Sequence, residues 1–133
     1  MMMTFLYASL LGVLYFLISL ETINARRRNQ ISLGVGDNRQ IEQIVSAHSN
    51  FSAYTPILLI LLFGLENSEQ VSPYIVHLFG LLIFFGRIFH YRAFRKEKMN
   101  FKYRVLGMRL TLWSLLVMSL VNIWAIGKIH FLN

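Results

Sequence analysis

Four stretches of the chain are apolar for long enough to cross a bilayer, and each is followed by a polar break. Phe5 to Leu20 is uninterrupted apolar or small, and Arg26-Arg27-Arg28 closes it. The second begins amphipathically, with Ile41, Ile44 and Val45 on one side and Arg39, Glu42 and Gln43 on the other, then runs to Leu65. The third, from Tyr74 to Phe89, is apolar except for His77 and Arg87. The fourth, from Tyr103 to Ile126, carries Arg104 and Arg109 in its first turns and Trp113 and Trp124 further along. A helix needs about 20 apolar residues to span the hydrocarbon core. The pattern therefore predicts spans over about 4–25, 39–65, 73–92 and 103–127, in one domain over 1–133. The fold class is all-α integral membrane, a four-transmembrane-helix bundle.

The connections carry their own signals. Gly34 and Gly36 permit a turn, and Asp37 or Asn38 is placed to cap the second helix. Pro56 should bend that helix without breaking it, because neighbouring helices can satisfy the freed carbonyl. Pro73 suits the first position of the third helix. Glu21, about one turn before the arginines, is expected to pair with one of them. A cleaved signal peptide has basic residues before its apolar core, whereas here they follow it, so the first span is read as retained.

Composition sharpens this picture. The chain has 133 residues, 56% of them hydrophobic, with a net charge of +7 and a mean hydropathy of +0.53. Of its 13 lysines and arginines, four lie between Arg26 and Arg39 and eight between Arg87 and Arg109. The loop from Glu66 to Ser72 has two acids and no base. Basic loops mark the cytoplasmic face, which puts loops one and three inside, and loop two and both termini outside. The absence of cysteine excludes disulfides, thiolate metal sites and a protein thiol nucleophile. The four histidines have no metal-ligand spacing, so no metal is expected. The basic residues flank spans and accompany no recognition fold, which argues against nucleic acid.

Charge within the spans suggests chemistry. His48, Asn50 and Tyr54 open the apolar part of the second span, and Asn50 and Tyr54 are four apart, hence on one face. Polar groups on a membrane helix avoid lipid, so these should face protein or a wet cavity. Arg87, Arg104 and Arg109 lie at a similar depth near the basic end, and an arginine within a span costs about 3 kcal/mol unless it snorkels or finds a partner. Together they outline a basic pocket for a small polyanion, since arginine keeps its charge when desolvated and grips carboxylates in pairs of hydrogen bonds. The plainer alternatives are helix–helix hydrogen bonds for the polar groups and snorkelling anchors for Arg26 to Arg28, Arg92 and Arg95.

His48-x-Asn50-Phe51-x-x-Tyr54-x-Pro56 after Gly36-Asp37, with Arg104-Val105-Leu106-Gly107-Met108-x-Leu110-Thr111 later, resembles the membrane-associated proteins in eicosanoid and glutathione metabolism (MAPEG), in particular their small bacterial members. The resemblance covers nearly the whole chain. It implies a homotrimer in a bacterial inner membrane, with glutathione held between neighbouring subunits near the cytoplasmic side. By this likeness Arg104 would stabilise the glutathione thiolate, because a fixed cation favours the ionised, nucleophilic form of a weak thiol. Arg26 and Arg27 would bind its carboxylates, and His48, Asn50, Tyr54, Arg87 and His90 would complete the binding site. The sequence departs from the family's pattern at Ala53, where relatives have the glutamate that receives the glutathione amine. It also departs at Ser46, where they have a base, and at Phe94, where catalytic members have a tyrosine.

The function implied is glutathione-dependent transfer to lipophilic electrophiles, or reduction of lipid hydroperoxides, with the second substrate arriving from the bilayer. A non-catalytic lipid-binding or scaffold member of the same fold is the main alternative, favoured by Ala53, Ser46 and Phe94. A small transporter subunit is a third, but proton-coupled carriers need a membrane-embedded acid and only Glu21 approaches that description.

Overall fold

The computed structural model describes residues 2–95 and 99–131, the side chain of Phe131 excepted. Four helices follow in order: α1 (Met3–Arg28), α2 (Arg39–Ser68), α3 (Pro73–Ala93) and α4 (Phe101–Phe131). All four are long and apolar enough to cross a membrane, and among the described residues there is no strand. Each helix lies where the hydrophobic pattern places it. The chief difference is that three helices run beyond the predicted spans, α1 through Arg26–Arg28, α2 to Ser68 and α4 from Phe101 to Phe131, since no proline or glycine at these ends stops a helix. Lys96, Glu97 and Lys98 of the third loop lie outside the described residues.

Local chemistry sets the helix ends. Asn38 caps α2, its Oδ1 accepting from the amides of Gln40 at 3.0 Å and Ile41 at 3.2 Å. The Asn38 amide in turn donates to Asn29 Oδ1 at 2.9 Å, tying the start of α2 to the end of α1. Loop one turns through left-handed backbone at Gly34 (φ 68°) and Gly36 (φ 56°), where side chains are disfavoured. Pro73 opens α3 behind a Ser72 cap. The α2 helix runs unbroken through Pro56.

The core is a column of Tyr7, Leu11 and Ile18 from α1, Leu58, Leu62 and Leu65 from α2, Val76 and Ile83 from α3, and Met118 from α4. The α3–α4 contact is the most extensive in the bundle, and small residues allow it. A Cβ on Gly107 would lie 2.6 Å from the His90 amide nitrogen and 2.7 Å from the Gly86 carbonyl oxygen, so the two backbones touch there. The outward faces are apolar, with Phe16, Ile60, Trp113 and Ile123 exposed as a lipid-facing surface requires.

Glu21 does not pair with Arg26, Arg27 or Arg28. Its carboxylate accepts from the Tyr91 hydroxyl and lies 3.7 Å from Arg95 Nε. The helix accounts for the difference: the position one turn beyond Glu21 is Ala25, and the arginines project elsewhere.

Candidate functional site

The site is built around Arg87. Its side chain is only 1% exposed, and it reaches from α3 across both neighbouring helices. Nη1 donates to Asn50 Oδ1 on α2 at 2.8 Å. Nη2 donates to Thr111 Oγ1 on α4, and Thr111 passes its own hydrogen to the Gly107 carbonyl at 2.8 Å. The guanidinium carbon lies 5.8 Å from the centre of the Tyr54 ring. Nε has no hydrogen-bond partner, and among the described residues no carboxylate pairs with this guanidinium. A buried cation held only by neutral acceptors is an expensive arrangement, worth several kcal/mol of desolvation.

Arg87 also dictates how Asn50 is presented. Guanidinium groups only donate, so the Asn50 carboxamide must turn its oxygen towards Arg87 and its NH2 group away. That NH2 group finds only the Met108 sulfur, at 3.6 Å, a weak acceptor. Asn50 therefore offers donor capacity to whatever lies beside it.

What lies beside it is a cleft of about 370 Å³ between α2, α3 and the start of α4. Ser46 and Asn50 line one wall, His90 and Phe94 the second, and Arg104 the third. Arg104 is exposed. Its guanidinium carbon sits 5.7 Å from the Phe94 ring centre, and Nη1 approaches the Met99 sulfur at 3.7 Å. It has no carboxylate partner among the described residues. His90 is buried, its ring 5.1 Å from that of Phe94. Arg39 and Glu42 line its rim as well, so the cleft presents two guanidinium groups against one carboxylate, and an oriented amide with the deeper Arg87 guanidinium behind it. Such a wall suits an anion.

The structure brings together Arg104, Asn50 and His90 in this cleft, with Arg87 and Tyr54 behind it. It does not bring His48 there. His48 Nε2 lies 3.2 Å from Ser19 Oγ, and its ring centre lies 5.2 Å from that of Tyr15, tilted by 30°, both partners being on α1. Two residues along a helix are roughly 200° apart, so His48 and Asn50 look to opposite sides of α2. Arg26 and Arg27 also stand apart, in a groove on the outer side of α1 with Ile31 and Ser32, where Arg26 donates to the Ser32 carbonyl at 3.4 Å. Ala53 is exposed and Phe94 is buried. Sequence reasoning missed Thr111 as an anchor of Arg87, although a threonine seven residues after Arg104 lies on the same helical face. Among the described residues no group of three acidic or histidine side chains is arranged to hold a metal ion.

Known proteins agree with this architecture. Residues 4–124 match the model of the MAPEG family. The chain is 29% identical over 123 residues to Inner membrane protein YecN of Escherichia coli strain K12, with 92% of each chain covered. YecN of Escherichia coli O6:H1 strain CFT073 matches to the same extent. With the family's match reaching into all four helices, the chain is a member of the MAPEG family, which holds both glutathione-dependent enzymes and non-catalytic proteins.

Proposed function

We propose that this chain is a glutathione-dependent enzyme of the inner membrane, working as a homotrimer on lipophilic electrophiles or lipid hydroperoxides. The supporting observation is the meeting of Arg104 and the Asn50 amide in one cleft, with the donor side of that amide fixed by Arg87. Family membership and kinship to an inner membrane protein add to it.

In this reading Arg104 holds the glutathione sulfur as thiolate, since a cation at hydrogen-bonding range lowers a thiol's pKa. In conjugation the sulfur lone pair forms the carbon–sulfur bond as the leaving group departs with its electron pair. In peroxide reduction the sulfur attacks the terminal peroxide oxygen and the O–O bond breaks. The alkoxide takes a proton to become an alcohol, and a second glutathione converts the sulfenic product to the disulfide and water. Asn50 donates to the peptide, His90 shapes its seat, and Arg87, set over the Tyr54 ring, acts through Asn50. Arg26 and Arg27 reach the cleft only from a neighbouring copy, which the trimer supplies, and His48 braces α2 against α1. The basic loops one and three are cytoplasmic.

The test is to add glutathione to the purified protein, following thiolate absorbance and conjugation to chlorodinitrobenzene. Arg104→Ala should abolish both signals. No signal at saturating glutathione, or an unchanged one in the variant, defeats the proposal.

A second reading, a non-catalytic lipid-binding member, draws on Phe94, which lines the cleft without a hydroxyl. Native mass spectrometry separates the two, because co-purified lipid without glutathione uptake supports the second.

A further inference from the structure

We propose that a second polar cleft, at the same basic end but on the other side of α2, binds the phosphodiester headgroup of an anionic phospholipid. This inference is independent of the glutathione reading. The cleft measures about 500 Å³ and lies between the end of α1, the start of α2 and the end of α3. Gln40, Ile41 and Ile44 face it from α2, whereas Ser46 and Asn50 face the Arg104 cleft. The two sites therefore share two helices, α2 and α3, and no side chain.

The polar groups of this cleft are assembled to leave a cation over. Glu21 is answered from within the fold by the Tyr91 hydroxyl and by Arg95 at 3.7 Å. Arg95 is further steadied over the Tyr91 ring, its guanidinium carbon 5.7 Å from the ring centre. Arg28, two turns along α1 from Glu21, has no acidic partner among the described residues. With Arg95 set against Glu21, the lining keeps one unmatched positive charge. A phosphodiester carries one negative charge, and guanidinium groups grip its oxygens through paired hydrogen bonds.

The rim is also held in advance of any ligand. Asn29, next to Arg28, donates to the Ala25 carbonyl at 2.9 Å and accepts from Asn38 at 2.9 Å. The Arg28 backbone is thereby fixed relative to α2. Below the polar groups the walls turn apolar. Leu17 stands one turn before Glu21 on α1 and is 52% exposed, and Ile44 faces the cleft from α2. A site polar at its mouth and open to the bilayer below suits a molecule with an anionic head and hydrocarbon chains. A soluble anion would leave the apolar part empty.

The test uses the full chain in mixed micelles doped with phosphatidylglycerol or phosphatidylcholine, read by native mass spectrometry. Phosphatidylglycerol should be retained in preference. Arg28→Gln and Arg95→Gln should each lower that retention about tenfold, the loss expected for one charge-assisted hydrogen bond. Arg92→Gln removes an exposed cation of the same end that lies outside the cleft, and should leave retention unchanged. Equal retention of the two lipids overturns the proposal, as does an equal loss in Arg92→Gln. Displacement of the lipid by soluble glycerol phosphate also overturns it, assigning the cleft to free phosphate esters.

Discussion

At the end of the bundle that carries loop two, the Glu66 carboxylate accepts from the first amides of α1, Met3 and Thr4, each at 3.0 Å. Nearby, the Tyr7 hydroxyl meets His77 Nδ1 at 2.9 Å, and the Asn122 amide donates to the Leu61 carbonyl at 2.9 Å. At the basic end Arg87, Arg104 and Arg28 have no carboxylate among the described residues, and Asn50 turns its donors to a sulfur. Both ends place polar groups in or near a membrane, where each must find a partner. One end finds its partners inside the fold, and that is the signature of structure. The other keeps a surplus of donors, at a cost to stability that the negative charge of the proposed ligand would offset.

The sharpest way to break this contrast is to supply the missing charge. Asn50→Asp puts a carboxylate where the amide oxygen now meets Arg87, so an ion pair replaces an ion–dipole contact. The unfolding midpoint should rise in mixed micelles. Glutathione affinity should fall by about 3 kcal/mol, roughly a hundredfold, because the wall loses a donor and gains a repelling charge. Asn50→Ala should also lose affinity but should lower the midpoint, since Arg87 then loses its acceptor. If both variants shift stability in the same direction, the surplus-charge account of Arg87 is wrong.

The opposite end should respond in the opposite sense. Glu66→Gln weakens charge-assisted bonds to the Met3 and Thr4 amides and should cost about 2 kcal/mol of stability. Glutathione affinity, measured by titration calorimetry, should not change, because the proposed seat lies at the far end of the bundle. A loss of affinity matching the loss of stability would mean that the two ends are coupled and the division between them is false.

Much of this division is legible in the sequence, and the physical reasons for what is not are specific. Span positions, the Asn38 cap and the Pro73 start follow from hydropathy and turn chemistry, which are local. The convergence of Asn50, Tyr54 and Arg87 follows from helical spacing together with the cost of polar groups in lipid. Partner choice between helices is different, because it depends on rotation about each axis. Hence Glu21 meets Tyr91 and Arg95 instead of Arg26–Arg28, and His48 turns to Ser19 although it is two residues from Asn50. Thr111 is unremarkable in sequence, and only the close α3–α4 approach at Gly107 brings it to Arg87.

The smallest expected effect is the most direct measure of what Arg87 does. Arg87→Met keeps an unbranched apolar stem out to about the position of Nε and removes the charge, the donors to Asn50 and Thr111, and the unpartnered Nε. Thr111 keeps its bond to the Gly107 carbonyl, so one acceptor left behind, Asn50 Oδ1, is free to rotate towards the cleft. A well-packed apolar replacement of a buried charge is commonly neutral or stabilising, and a gain of about 1 kcal/mol in unfolding is expected here. Glutathione affinity should still fall about tenfold, because the Asn50 amide is no longer held donor-side outward. The pair of signs is the informative part: a purely structural Arg87 would lose stability and leave affinity unchanged in the fraction that folds. A positioning Arg87 does the reverse, with its cost visible as stability regained once the charge is gone.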